Sequence, residues 1–263
     1  MAVSSDGARW FVINASPNLG AQIESLAADG FPATARPEGP LEAILLTNAD
    51  LDHTLGLFLL REGGPLIIHA TAAIRETLGA ALRLEDVLQA FCGVSWREPG
   101  SEFSPLRLRS GTNSGLSARM FDLPASRPSF AARTGMSAES GHSVAWQIRD
   151  DTTGARALIA PHVSRITEPL RDAMQDSQAV LFDGTFWSDD ELQRVKPGAR
   201  TARQMGHVPV SESWGALASL RARPRVLIHI NNTNPILAPG SPERRIVEES
   251  GIIVGEDGLE YEL

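Results

Sequence analysis

Short apolar runs, separated by polar or Gly/Pro-bearing turns, recur along most of the chain. Ala43–Leu46, Pro65–Ala70, Val144–Ile148, Ala157–Ala160, Ala179–Phe182 and Val226–Ile230 are too short for helices and read as buried β-strands. Arg9–Asn14 reads as a further strand. The turn at Asp6-Gly7 makes Met1–Ser4 the first arm of a hairpin with it. Another strand is expected near Leu116–Phe121, and two more around Gly258. Helical spacing marks Leu19–Leu26, Thr54–Arg61, Thr71–Leu78, Leu84–Phe91 and Pro242–Glu249, with Thr71 as a candidate N-cap. Gly30 to Pro40 is a Gly/Pro-rich connection. Residues 98–140, rich in Ser, Gly, Pro and Arg, carry the weakest pattern. Strands alternating with helices, without an internal repeat, predict an α/β layered fold.

Composition narrows the partners. The 263 residues are 42% apolar, enough for a sizeable core, and carry a formal net charge of −8. No basic cluster interrupts that balance, so nucleic acid is not an expected partner. A single cysteine, Cys92, excludes an internal disulfide and fits a reducing compartment. No apolar stretch reaches membrane-spanning length, and no signal-peptide pattern follows Met1. One cytoplasmic domain spanning residues 1–263 is expected, and composition fixes no oligomeric state.

Chemistry concentrates in Thr47-Asn48-Ala49-Asp50-Leu51-Asp52-His53-Thr54-Leu55-Gly56, where a buried strand gives way to a helix. The stretch resembles the metallo-β-lactamase superfamily motif T-H-x-H-x-D-H-x-x-G. Thr47, Asp52, His53 and Gly56 match, while Asn48 and Asp50 stand where that motif has histidines. A site built here is expected to hold less metal, or another metal, than the usual zinc pair.

Further strings narrow the resemblance. Asn14-Ala15-Ser16-Pro17, Asp52-His53-Thr54, Leu60-Arg61-Glu62-Gly63, Asp183-Gly184-Thr185 and Met205-Gly206-His207 are similar to the PqqB family of pyrroloquinoline quinone (PQQ) biosynthesis. So are Ser241-Pro242-Glu243-Arg244 and, most specifically, the run from Val226 to Leu237 containing His229-Ile230-Asn231-Asn232-Thr233-Asn234-Pro235. The resemblance implies a metallo-β-lactamase-like αββα sandwich with its metal-bearing loops along one edge. It also implies iron-dependent hydroxylation of a tyrosine-derived PQQ precursor, a small molecule rich in carboxylates. A role in carrying PQQ or its precursor is attached to the same family, and metal-bound hydroxide chemistry, as in a hydrolase, is the third reading. Two departures stand out. The family's extra N-terminal strand and zinc-binding cysteine cluster have no counterpart, so a truncated chain start is expected. His162 stands where family members tend to have glycine.

Asp52, His53 and His229 supply two imidazoles and one carboxylate, a set that suits Fe(II) and O₂ chemistry with open positions; Zn(II) is the alternative. Asp50 or Asp183 is expected close by as a direct or water-bridged fourth ligand, although Asp183 could equally cap a helix. Asn48 and His207 are candidates for substrate contact or for supporting the ligands. Asn231, Asn232 and Asn234 either present amides to a substrate carboxylate or simply form the turn. His162 either reaches the metal or moves protons beside it, against the alternative of a surface histidine. His69 and His142 are read as structural or surface residues.

Overall fold

In the computed structural model, residues 1–28, 40–61, 64–131 and 140–263 are described. Most of the Gly30–Pro40 connection, the Glu62-Gly63 pair and residues 132–139 therefore lie outside the described residues. The chain divides into two compact units, one of residues 1–122, 126–144 and 150–152, the other of 123–125, 145–149 and 153–263. No described helix is long and apolar enough to cross a membrane.

The first unit is built on a five-stranded sheet. A hairpin of β1 (Ala2–Val3) and β2 (Trp10–Ile13) opens it, and Asp6 shapes the turn by accepting from the backbone N–H groups of Ala8 and Arg9. After α1 (Leu19–Ala28), β3 (Leu41–Leu45) pairs parallel with β2. Next come α2 (Leu51–Thr54) and a 3₁₀ segment over Leu55–Leu59, then β4 (Leu66–His69), α3 (Ala72–Leu82), α4 (Leu84–Gln89) and β5 (Val94–Arg97). The strand order is β1-β2-β3-β4-β5. Thr71 caps α3 as its sequence position suggests, accepting from Ile74 N at 3.1 Å. Every residue of β3 is buried, as expected of a central parallel strand. Its one acid, Glu42, accepts from Arg109 N at 2.7 Å. Val12, Ile44, Ile68, Ile74, Leu78, Leu84 and Leu88 form the core against which the helices rest. In the weakly patterned region, β6 (Ser104–Arg107) and β7 (Asn113–Leu123) form an antiparallel hairpin.

The second unit carries the central residues of β8 (Ser143–Asp150), antiparallel to β9 (Arg156–Ala160). After α5 (Glu168–Gln175), β10 (Ala179–Asp183) runs parallel to β9. Beyond α6 (Glu191–Val195) and α7 (Val210–Ala218), β11 (Arg225–Ile228) is parallel to β10. Last come α8 (Pro242–Glu249) and β12 (Ile253–Val254), parallel to β11. Thr167 and Ser241 cap α5 and α8, each followed by a proline in the first turn, where the missing N–H costs nothing. The registers align Ala160 with Phe182 and Asp183 with Ile228, so neighbouring parallel strands end side by side. Whatever follows those ends is gathered on one edge, the usual place for ligands in parallel sheets.

Three sequence expectations need correction. The helix expected over Thr54–Arg61 is α2, which ends at Thr54, and then the 3₁₀ segment. The strand expected over Val226–Ile230 stops at Ile228, because His229 takes a left-handed backbone, φ 56°. No strand forms beyond Gly258 among the described residues. Leu259, Tyr261 and Leu263 there are exposed, and an alternating pattern without a neighbouring strand has nothing to bond.

Arg225, 2% exposed, ties this sheet to its helices. Its guanidinium donates to the carbonyls of Leu217, Ala218 and Leu220 at the end of α7, and of Ser250 and Gly251 after α8. Carbonyls at a helix end lack the N–H of a following turn, and the guanidinium supplies donors in its place. Arg225→Met keeps an apolar stem but removes these donors, and is expected to cost about 2–4 kcal/mol of unfolding free energy in urea titration.

His69, at the end of β4, has its pKa lowered to about 4 by burial first and by the charge of Arg97 second. The unfolded imidazole, near 6.5, binds a proton that the folded one resists. His69 therefore contributes stability above pH 6.5 that is lost as pH falls toward 4. His69→Gln is expected to flatten that part of the stability–pH curve, read from urea midpoints.

Candidate metal centre

In the first unit the polar stretch after β3 is pinned residue by residue. Asn14 donates to Thr47 Oγ1 and accepts from Thr47 N, both at 2.8 Å. Thr47 O accepts from Val144 N at 2.7 Å. Asn48, 2% exposed, places its Oδ1 2.6 Å from His53 Nδ1 and 3.1 Å from Asp50 N, while its Nδ2 donates to Asp50 Oδ2 at 2.7 Å. An amide oxygen only accepts, so His53 carries its proton on Nδ1 and keeps the lone pair on Nε2. That Nε2 lies 3.9 Å from Asp52 Oδ2; the imidazole is buried and the carboxylate largely exposed. Asp50 sits at the N-cap of α2, and its carbonyl accepts from His53 N and Thr54 Oγ1. Gly56 is required by close approach: a Cβ there would stand 2.1 Å from Ser16 O. Its N–H donates to Ala15 O, and Ala15 N donates to His53 O, locking α2 against the turn after β2.

In the second unit the strand ends converge on Asp183, which is fully buried. Its Oδ2 accepts from His207 Nδ1 at 2.7 Å and from Val163 N at 2.8 Å. Its Oδ1 accepts from Thr185 N at 3.0 Å and Thr185 Oγ1 at 2.6 Å. Burial works to raise the pKa of this carboxyl, but His207, with His229 and His162 behind it, holds it below the ordinary carboxylate value. The Thr185 hydroxyl, having given its proton to Asp183, accepts from His229 Nδ1 at 2.7 Å. His229 and His207 thus each carry a proton on Nδ1. Their rings lie stacked with centroids 5.5 Å apart. Asp183, His207 and His229 each offer a potential ligand atom within 4.8 Å of the others. Asp183 reaches a metal only by giving up one of its present donors.

His162 follows β9 and packs on the same cluster. Its ring centroid is 4.3 Å from that of His207, tilted by 37°. Its Nε2 is directed at Gly206, where a Cβ would stand 2.4 Å away. Gly206, at φ 90°, also needs the backbone freedom of glycine.

The asparagines divide. Asn234 is 2% exposed: its Nδ2 donates to the carbonyl of Gly184, and its Oδ1 accepts from Ile236 N. Its amide is thus engaged within the fold, as in the turn-forming alternative. Asn231 Nδ2 donates to Thr233 Oγ1 at 2.6 Å, and Asn231 N to Thr185 O. Asn232 is exposed. Thr185 is the residue that sequence reasoning missed; its signal was a hydroxyl two positions after an acid that ends a buried strand.

The donor set fits a metal. An imidazole held by a donor bond from Nδ1 is the arrangement that orients a metal-binding Nε2, and His53 and His229 both show it. The family model of the beta-lactamase superfamily domain matches residues 9–230. Coenzyme PQQ synthesis protein B of Methylobacterium nodulans is 39% identical, over all of this chain and 86% of that protein. This chain belongs to the PqqB family. The Pseudomonas syringae member is 34% identical with the same coverage of each chain. The crystal structure of Zn²⁺-bound PqqB from Methylobacterium extorquens matches with a TM-score of 0.84 and 33% identity, over 100% of this chain and 86% of that one. The fold is accordingly that of the metallo-β-lactamases, and the PqqB family places the chain among the proteins of coenzyme PQQ synthesis.

Thr185→Val keeps the shape of the side chain and removes the hydroxyl between Asp183 and His229. It is expected to weaken metal binding about 10- to 100-fold, measured by competition with a chromophoric chelator.

Proposed function

We propose that this chain acts in PQQ synthesis as a metal-dependent hydroxylase of a small, tyrosine-derived precursor. A single divalent metal would be held by Asp52, His53 and His229, with Asp50 as a further, water-bridged ligand. The observation that carries this reading is the matched state of the two histidines, each fixed as a donor at Nδ1 by an oxygen the chain supplies. Two imidazoles and a carboxylate, with positions left open, favour Fe(II) over a zinc pair. Asn48 supports the same preference, because it stands at a superfamily histidine position and is occupied in orienting His53.

When bound, Fe(II) supplies the redox chemistry by which O₂ is brought to an aromatic ring. The chain's own residues do the rest. Asn48 and Thr185 set the tautomers of His53 and His229, and Asp183 keeps Thr185 and His207 in place. His207, 6% exposed, packs against the rings of both His162 and His229.

Metal analysis of anaerobically prepared protein tests the ligand set: His53→Ala and His229→Ala are each expected to lose most of the bound iron, and full retention in both would overturn it. Oxygen uptake that requires both iron and precursor is expected of a hydroxylase. Tight binding of PQQ without turnover would instead mark a carrier, and uptake-free cleavage of the precursor a hydrolase.

A further inference from the structure

His229 keeps a left-handed backbone, φ 56°, and a residue with a side chain holds that conformation only where its surroundings fix it. The loop from His229 to Asn234 is accordingly tied at several points. His229 Nδ1 donates to Thr185 Oγ1 at 2.7 Å, Asn231 N to Thr185 O at 3.1 Å, and Asn234 Nδ2 to Gly184 O at 2.8 Å. A further tie runs to α6. Asn231 Nδ2 donates to Thr233 Oγ1, and the Thr233 hydroxyl donates to Glu191 Oε1, each at 2.6 Å. Glu191, the first residue of α6, is 6% exposed, and its Oε2 accepts from Trp187 N at 2.6 Å. Burial raises its pKa above the ordinary glutamate value, against the pull of the Thr233 hydroxyl and the Trp187 and Ser188 backbones.

One device thus acts twice on this loop. A threonine hydroxyl has one proton to give, and a buried carboxylate takes it: Asp183 from Thr185, Glu191 from Thr233. Each threonine oxygen is left to accept, from His229 Nδ1 in the first case and from Asn231 Nδ2 in the second. Capping of α6 would account for the Trp187 bond, four residues away, but not for the bond to Thr233, 42 residues along the chain. Nor would glutamine serve as well, since it has one acceptor oxygen and would set its NH₂ against a donor. We propose that Glu191 is a positioning residue for His229, holding the loop through Thr233 and Asn231 in the backbone that aims the imidazole. The proposal rests on the reading of His229 as a metal ligand, and is independent of which metal is bound and of the hydroxylase chemistry.

Imidazole NMR on the full chain, without added metal, reads the positioning directly. The Nδ1–H signals of His229 and His53 are assigned by their loss in His229→Ala and His53→Ala. Glu191→Gln is expected to broaden or remove the His229 signal and to leave the His53 signal in place. Zn²⁺ competition with a chromophoric chelator reads the consequence. Glu191→Gln and Thr233→Val are each expected to weaken binding about tenfold, and the double variant by no more than either alone. Glu243→Gln, a change to another carboxylate of the cleft that Glu191 lines, is expected to alter neither readout. An unchanged His229 signal in Glu191→Gln and Thr233→Val, equal loss of the His53 signal, or additive losses in the double variant would overturn the proposal. Full metal retention in His229→Ala would overturn the ligand reading and this inference with it. Unaltered affinity in Glu191→Gln, beside metal loss in His229→Ala, would overturn this inference alone. Should Glu191→Gln fail to fold, Thr233→Val, which keeps the side-chain shape, carries the same two readouts.

Discussion

A carboxylate can be buried completely only where its lone pairs are filled and its charge is answered, and Asp183 meets both conditions. Four donors reach it from three segments of chain: Val163 after β9, Thr185 after β10, and His207 from the loop before α7. Through Thr185 it also governs His229, which follows β11. The parallel registers bring these strand ends side by side, and the carboxylate binds them into one polar cluster. Low local dielectric makes such a network strong when complete and costly when one member is lost. The histidine tautomers, the ring stack and the place of the His229 loop all follow from it.

The first unit reaches a similar result by different means. There a neutral amide, Asn48, does for His53 what the Thr185 hydroxyl does for His229. At a position where the wider superfamily has histidine, asparagine offers a poor ligand but a good acceptor, and its second amide atom holds Asp50. Asn48 thus holds the His53 ring and the Asp50 carboxylate at once. Gly56, in the 3₁₀ segment that follows α2, lets the chain press against the carbonyls of Ala15 and Ser16, which no other residue would permit.

Much of this architecture was legible in the chain. The apolar runs that became β3, β9, β10 and β11 were unambiguous because buried parallel strands need no polar face. Thr71, whose hydroxyl caps α3, was readable from its own helix. Failures came where a distant contact overruled a local pattern. The leucine-rich segment after His53 has helical spacing, yet it continues as a 3₁₀ turn with Leu55 and Leu59 exposed and Leu57 buried. The alternation after Gly258 asked for a strand, but strands are made by neighbours, and none stands beside it among the described residues.

By itself the sequence determined the kinds of ligand atom this protein presents, and the strand ends that present them, because both are properties of short stretches: Asp52-His53 after β3, Asp183 closing β10, His229 following β11. Tertiary structure alone decided what each of those groups does. The left-handed turn at His229, the Nδ1 protons, the packing of His162 on His207 and the spending of Asn234 on Gly184 are invisible locally. Apart from Asn48 and His53, five residues apart, the partners stand 24 to 50 residues apart in the chain. A hydrogen bond is set by where two atoms meet in space, and only the folded sheet brings those atoms together.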